Sequence, residues 1–282
     1  MYIENQQKKK AGKFMERISD YNVYTDGMRK SMADKTWFLD KIDGITEIVD
    51  YGCADGALLQ YISEAMPHVF DLTGIDIDKK MLELAKNRLP FCDLLTPEHF
   101  LSLNKDCHNI CLNVGSVIHE VYSYGTTESI ENFWDFVLNS NFKYIAIRDM
   151  GISKVDEVKK RKKVESALTH IKHYNLIHAG AQEQFNDFCK INNVNENTIQ
   201  WKDIVHYLLK YRYIANWSRE VKENYLPVLT EEILLKIPNI YRIKHFEHYT
   251  LPFLKDKIQE DFEIELDTKT HFKLLLEKVD FV

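Results

Sequence analysis

A glycine turn and a carboxylate early in the chain have the types and spacing of a nucleoside-binding site. The turn is Asp50-Tyr51-Gly52-Cys53-Ala54-Asp55-Gly56, directly after an apolar run, and Asp76 ends the next apolar run, about 20 residues after Gly56. Glycines at such a turn let a ligand approach the backbone, because a Cβ would occupy that space. A carboxylate at the end of the second run can chelate the two hydroxyls of a ribose.

The charges around the turn distinguish between two ribose-containing ligands. A dinucleotide places a pyrophosphate over the turn and favours N–H donors without carboxylates nearby. Here Asp50 and Asp55 flank the turn, and Ala54 replaces the middle glycine of G-x-G-x-x-G. Carboxylates repel a pyrophosphate but attract the sulfonium and ammonium of S-adenosylmethionine, which is therefore the expected cofactor. A nicotinamide or flavin dinucleotide, or a turn that merely connects a strand to a helix, are the alternatives.

A parallel sheet has to position these residues. The apolar runs ITEIVDYG, DLTGIDID, HNICLNVG and FKYIAIRD alternate with helical patterns, which indicates right-handed crossovers. The runs YRIKHFEHYT and THFKLLLEKV predict two further strands, and a third strand near FCDLL is difficult to identify. We therefore predict an α/β fold with a doubly wound, mostly parallel seven-stranded sheet, covered by helices on both faces.

The change of pattern along the chain predicts four segments. Residues 1–36 form an N-terminal helical cap, and residues 37–150 form a Rossmann-like core. Residues 151–237 are helical throughout and form an insertion or lid between the fifth and sixth strands. Residues 238–282 supply the last two strands.

Three segments carry a resemblance to a known family. IVDYGCADGALL, LTGIDIDKKMLELA and NICLNVGSVIHEV resemble the first, second and fourth motifs of class I S-adenosylmethionine-dependent methyltransferases, over about residues 45–150 and the last two strands. The resemblance implies that the methionine part lies along the turn, the ribose at Asp76 and the adenine near Ile77 and Asp93. The cofactor-binding residues expected on this basis are Asp50, Gly52, Cys53, Gly56, Asp76, Ile77, Asp93 and Asn113.

In this family the segment after the fourth strand forms the acceptor side. Because the methyl carbon of a sulfonium is already activated, positioning supplies much of the acceleration, and a base is needed only for a tightly held proton. His119 and Glu120 are the base candidates, although His119 in a structural role, packing or capping a helix, is the alternative. The expected substrate-binding residues are Tyr122, Tyr124, Arg148 and Tyr211. The alternative for Arg148 is a salt bridge at the end of its strand, and the alternative for Tyr211 is a place in a helical core.

The net charge of −6 gives no general attraction for nucleic acid. We therefore predict a methyltransferase acting on a small molecule. An RNA or protein methyltransferase is an alternative, motivated by the basic run at residues 159–163, and so is a non-catalytic S-adenosylmethionine-binding module. A solvated helix face is the other interpretation of that run.

Composition bounds the remaining expectations. No run approaches the roughly 20 apolar residues of a membrane helix, so no membrane contact is expected. The five scattered cysteines suit a reducing compartment, so the protein is expected in the cytoplasm. Cys107 and Cys111 flank His108 but lack a second ligand pair, so no metal site is expected. The sequence predicts no oligomeric state.

Overall fold

The computed structural model describes residues 32–159, 161–214 and 217–279. The chain divides into two compact units, residues 1–41 and 42–282. In the first unit residues 32–35 are helical and residues 36–41 form turns. Most of the predicted N-terminal cap at 1–36 lies outside the described residues, and all elements below belong to the second unit.

A seven-stranded sheet organises the second unit, in the order β3-β2-β1-β4-β5-β7-β6. β1 pairs in parallel with both β2 and β4, so the strand order reverses there. β7 is antiparallel to both β5 and β6. These features confirm the predicted α/β fold with a mostly parallel sheet. The strands are β1 (Glu47–Tyr51), β2 (Asp71–Ile75), β3 (Asp93–Leu95), β4 (Ile110–Gly115), β5 (Tyr144–Met150), β6 (Tyr241–Tyr249) and β7 (His271–Lys278).

Helices follow most strands, as the crossovers of a parallel sheet require. The helices between β1 and β5 are α1 (Ala57–Ala65), α2 (Lys79–Arg88), α3 (Pro97–Ser102), α4 (Ile118–Tyr124) and α5 (Thr127–Asn139). Those between β5 and β6 are α6 (Lys154–Glu157), α7 (Arg161–Ile177), α8 (Ala181–Ile191), α9 (Trp201–Lys210), α10 (Trp217–Glu220) and α11 (Thr230–Leu234), and α12 (Pro252–Phe262) precedes β7. Among the described residues, no helix is both long and apolar enough to cross a membrane.

The sheet is buried by helices whose apolar residues recur at helical spacing. Phe133, Phe136 and Val137 of α5 join one core cluster with Leu112 of β4 and Ile147 of β5. A smaller cluster lies between the turn after β1, α1 and α2, and it consists of Cys53, Leu59, Leu89 and Cys92. Burial of this apolar area supplies the driving force that holds the strand ends in place.

The described residues between β5 and β6 form helices joined by loops, and they share an apolar core with α12 and the residues after it. Trp201 and Tyr207 of α9 are fully buried there, together with Ile171 of α7 and Ile258 of α12. The indole Nε1 of Trp201 donates to Thr268 Oγ1 at 2.6 Å, just before β7. The insertion is therefore anchored to the element that leads into the last strand.

The close packing of β2 against the turn after β1 can be tested by substitution of Gly74. A Cβ at this position would lie 2.7 Å from Leu94 Cδ2 and 2.8 Å from Cys53 Sγ. We expect Gly74→Ala to lower the free energy of unfolding by about 1 to 3 kcal/mol, because both neighbours must shift. Urea denaturation measures this change. In the control Gly115→Ala the nearest atom would be 3.4 Å away, so an equal loss in both variants would contradict the packing described.

Candidate functional site

The turn between β1 and α1 curls over the carboxyl end of β2. The backbone N–H groups of Gly52 and Cys53 both donate to Ile75 O, at 2.7 and 3.0 Å. Gly52 and Gly56 have φ values of +75° and +78°, in the left-handed region that favours glycine. A Cβ on Gly52 would also lie 2.5 Å from a methyl group of Val117. Both glycines of the motif are therefore required by the backbone itself.

Asp76, the first residue after β2, bonds this turn with one carboxylate oxygen and the residue before α2 with the other. Oδ2 accepts the N–H of Ala54 at 2.9 Å, and Oδ1 accepts the N–H of Asp78 at 2.8 Å. The neighbouring Ile77 is 79% exposed. A carboxylate of fixed orientation thus lies beside an uncovered apolar side chain at the edge of the sheet.

A second carboxylate lies between β1 and β4, where the strand order reverses. Asp50 and Asn113 are register partners, and Asn113 Nδ2 donates to Asp50 Oδ1 at 2.7 Å. Both side chains are buried. Asn113 Oδ1 is also buried and accepts no hydrogen bond from the described residues. An acceptor without a donor at a strand end is a place where a ligand can complete the hydrogen bonding.

Two expectations about the cofactor side change with the structure. Asp55 forms an ion pair with Arg88 of α2, with 2.6 Å between its Oδ2 and the guanidinium. Its charge is thus partly neutralised, and the electrostatic preference at the turn depends on Asp50 and Asp76. Asp93 is the first residue of β3 and pairs with Thr73, so it lies at the amino end of that strand, whereas Asp76 follows the carboxyl end of β2.

The Cys53 side chain points into the core rather than toward the edge of the sheet. It is 4% exposed and packs with Leu59, Leu89 and Cys92. Burial raises the pKa of its thiol well above the usual range, with further repulsion from Asp50 and Asp76. Cys53 therefore contributes its backbone, not a reactive thiolate, to the turn.

His119, in the first turn of α4, is held between two carboxylates. Its Nδ1 lies 2.5 Å from Asp149 Oδ1 and its Nε2 lies 3.0 Å from Glu223 Oε1. Burial alone would lower the pKa of His119, but the two carboxylates outweigh burial and raise it to about 10. His119 is therefore an imidazolium at neutral pH. Sequence reasoning missed Glu223, because it lies in the helical insertion, far along the chain from His119.

Glu120 faces outward from the same turn of α4. Its side chain is 46% exposed, and Oε1 accepts a hydrogen bond from Arg219 at 3.0 Å. Partial burial and the nearby charge of Glu223 raise the pKa of Glu120. Of the two base candidates, Glu120 is the one that solvent reaches.

Arg148 is buried at the end of β5 and joins three elements. Its guanidinium donates to Ser116 Oγ at 2.9 Å and to the Tyr249 hydroxyl at 3.1 Å. The N–H of Ser116 donates to the carbonyl of Arg148 at 2.7 Å. Arg148 thus fixes the turn after β4, in which Ser116 has a φ of +64°.

The predicted tyrosines differ in their surroundings. Tyr122 accepts a hydrogen bond from Trp134 Nε1 at 3.1 Å, so its hydroxyl is directed toward α5. Tyr124 is 55% exposed beside Arg219. Tyr211 is 3% exposed, and its hydroxyl donates to Asp261 at 2.5 Å within the core of the insertion. The structure therefore brings Tyr124, but not Tyr211, to the outer side of α4.

The basic run at 159–163 is largely paired within the protein. Lys159 bonds Asp156 at 3.0 Å, Arg161 bonds Glu165 at 3.0 Å, and Lys163 bonds Asp267 at 2.6 Å. Pairing with carboxylates reduces the positive potential that a phosphate backbone would need.

Comparison with known proteins gives matches to solved structures of low sequence identity. No protein-family model and no curated protein sequence matches the chain. A SAM-dependent methyltransferase from Archaeoglobus fulgidus is 13% identical, with a TM-score of 0.47, over 92% of this chain and 100% of that one. The methyltransferase domain of bacterial CtHen1-C is 12% identical, with a TM-score of 0.43, over 89% of this chain and 97% of that one.

The plantazolicin methyltransferase BamL, in complex with a triazolic desmethylPZN analog and SAH, is 11% identical with a TM-score of 0.46, over 97% of this chain and 91% of that one. All three proteins are named as methyltransferases. At these identities and TM-scores the likeness assigns no activity, ligand or residue role to this chain.

Asp149 connects the end of β5 to the start of α4. It is fully buried and accepts hydrogen bonds from the N–H of Ile118 at 2.7 Å and of Met150 at 2.7 Å, besides its contact with His119. We expect Asp149→Ala to lower the free energy of unfolding by about 3 to 5 kcal/mol, because an imidazolium loses its buried partner. Chemical denaturation checks this against Asp187→Ala, an exposed residue of α8. Similar stability of the two variants would contradict the buried pair.

Proposed function

We propose that the chain binds S-adenosylmethionine at the carboxyl ends of β1, β2 and β4 and transfers its methyl group to an acceptor beside α4. The observation that carries this proposal is the orientation of Asp76 by the N–H groups of Ala54 and Asp78. A carboxylate has about four acceptor positions, so about two remain for the hydroxyls of a ribose. The exposed Ile77 beside it provides an apolar surface for the adenine.

The buried pair Asp50 and Asn113 supports a cationic cofactor. The ammonium group of the methionine part can donate to the unpartnered Asn113 Oδ1 and is attracted by the Asp50 carboxylate. A pyrophosphate has no donor to offer and would be repelled by the same carboxylate. S-adenosylmethionine is therefore favoured over a dinucleotide, although Asp55 contributes less to this preference than its position in the sequence indicated.

A small-molecule acceptor in the cytoplasm agrees best with the surface. In the basic run at 159–163, Lys159, Arg161 and Lys163 each form an ion pair with a carboxylate of this chain. These pairs reduce the positive charge that the run could offer to RNA. The net charge of −6 adds no attraction for RNA. All five cysteines are free thiols, which is typical of proteins from a reducing compartment.

The two base candidates take different roles in this proposal. His119 has both ring nitrogens in contact with carboxylates and a pKa raised to about 10, so it holds its proton and positions Glu223. Glu120 is exposed next to Tyr124 and can face the acceptor. The sulfonium needs no further activation, so orientation of the acceptor by these groups supplies much of the rate.

Calorimetric titration with S-adenosylhomocysteine tests the cofactor site. We expect Asp76→Asn to weaken binding by about 10- to 100-fold, since it removes a charge that accepts hydrogen bonds from the ribose. The matched control is Asp71→Asn, which changes an exposed aspartate at the other end of the same strand. It should bind like the wild type.

Two results would overturn the proposal: no binding of S-adenosylhomocysteine by the wild type, or tighter binding of NAD or FAD at the same site. The acceptor class is tested separately with S-adenosylmethionine labelled at the methyl group. Label is expected in the small-molecule fraction of a cell extract. Label in the RNA or protein fraction instead would show that the acceptor is RNA or protein, and the proposed cofactor site would stand.

A further inference from the structure

Three donor atoms converge beside the carboxyl end of β5. They are His119 Nε2 and one carboxylate oxygen each from Glu120 and Glu223, and all lie within 4.8 Å of one another. The Nε2 atom is 3.0 Å from Glu223 Oε1. Two ligands bound at right angles to one ion, each at about 2.1 Å, would be about 3.0 Å apart. The distance between His119 and Glu223 therefore fits two donors that share one ion, and the carboxylate of Glu120 lies near enough to become the third donor after a small side-chain movement.

The His119 ring is held as metal-binding histidines usually are. Its other nitrogen, Nδ1, contacts the buried carboxylate of Asp149, which is itself fixed by the N–H of Ile118. The ring of Tyr225 packs edge-on against the imidazole, with 5.5 Å between the centroids. Such a carboxylate orients the ring and makes the free nitrogen a better ligand. His119 is therefore preorganised with Nε2 toward the two glutamates.

Glu223 is fixed relative to α4 by its own neighbours. The N–H of Asn224 donates to Ser123 Oγ at 2.7 Å, and this hydroxyl also bonds the carbonyl of His119. The carbonyl of Glu223 accepts a hydrogen bond from Lys210 Nζ, and His206 Nε2, which accepts the N–H of Tyr225, lies 3.2 Å from the same oxygen. The meeting of Glu223 with His119 is thus imposed by the backbone on both sides.

The charges around the cluster leave a path for a cation. Arg219 lies 3.0 Å from Glu120 Oε1 and 4.0 Å from Glu223 Oε2, and its side chain is 59% exposed. Because it is exposed, the guanidinium can turn into solvent and open the cluster from outside. Arg219 thus balances the charge of Glu120 and of the buried Glu223, and a cation could take its place.

We propose that His119, Glu120 and Glu223 bind one divalent first-row cation, Mn²⁺ or Zn²⁺. One imidazole and two carboxylates form a mixed donor set that suits these ions. Three protein ligands leave coordination positions open for water or a substrate, as in catalytic sites. His119 holds its Nε2 proton in the metal-free protein, and binding of the ion would displace this proton to solvent while Asp149 keeps the other ring nitrogen in place.

The role of this ion in catalysis rests on the proposed function. Its open positions would face the acceptor side and would take a hydroxyl oxygen of the acceptor. A divalent ion held by these residues would lower the pKa of that hydroxyl, and the proton would pass to solvent. The oxygen lone pair then forms the new bond to the methyl carbon as the carbon–sulfur bond breaks, and S-adenosylhomocysteine leaves. The expected acceptor class is therefore a small molecule that chelates through hydroxyl or carboxylate oxygens.

Calorimetric titration of chelator-treated protein with MnCl₂ and with ZnCl₂ tests the site. We expect one equivalent of at least one ion to bind the wild type, and Glu120→Gln and Glu223→Gln each to weaken that binding at least tenfold. Glu120 is partly exposed, so Glu120→Gln is expected to fold even if the buried variant does not. Glu131→Gln, at an exposed position of α5, is the matched control and should bind like the wild type.

The site would be overturned if neither ion bound the wild type, or if Glu120→Gln bound the ion as tightly as Glu131→Gln. Titration of the same metal-free protein with S-adenosylhomocysteine separates the two proposals. Retained nucleoside binding without metal binding would remove the ion and leave the cofactor site. Metal binding without binding of S-adenosylhomocysteine would support the metal site and contradict the proposed methyltransferase function.

Discussion

The carboxylate of Asp76 fixes the end of β2 to the turn after β1, and the cofactor side of the site depends on this contact. The same turn is held by the hydrogen bonds from Gly52 and Cys53 to Ile75. The turn approaches Val117, at the start of α4, so closely that only glycine fits at position 52. One small set of backbone contacts therefore places the ends of β1 and β2 and the beginning of α4 relative to one another, before any ligand binds.

His119 joins the sheet to the helical insertion, on the side where the acceptor is proposed to bind. Asp149 of β5 holds one ring nitrogen and Glu223 of the insertion contacts the other. The buried carboxylates would be costly without this imidazolium, and a divalent ion in place of its Nε2 proton would serve the same balance of charge. The insertion therefore contributes directly to the proposed site, since it brings Glu223 to the first turn of α4.

Local patterns predicted the sheet well, because continuous apolar runs and glycine turns are short-range signals. β3 has only three residues, so its run was too short for the sequence to place Asp93 along the strand. Contacts between distant segments were not predictable: Arg88 partly neutralises Asp55, Asp261 takes the Tyr211 hydroxyl, and Glu223 reaches His119. Each of these depends on tertiary packing, which hydrophobic periodicity does not encode.

The central claim is that the carboxyl edge of β1, β2 and β4 holds a sulfonium nucleoside with its ribose on Asp76. A crystal structure of the protein with S-adenosylhomocysteine tests this most directly. We predict both ribose hydroxyls within hydrogen-bonding distance of the Asp76 carboxylate and the ammonium group beside Asp50 and Asn113. A nucleoside bound elsewhere, or a ribose held by a different side chain, would contradict it.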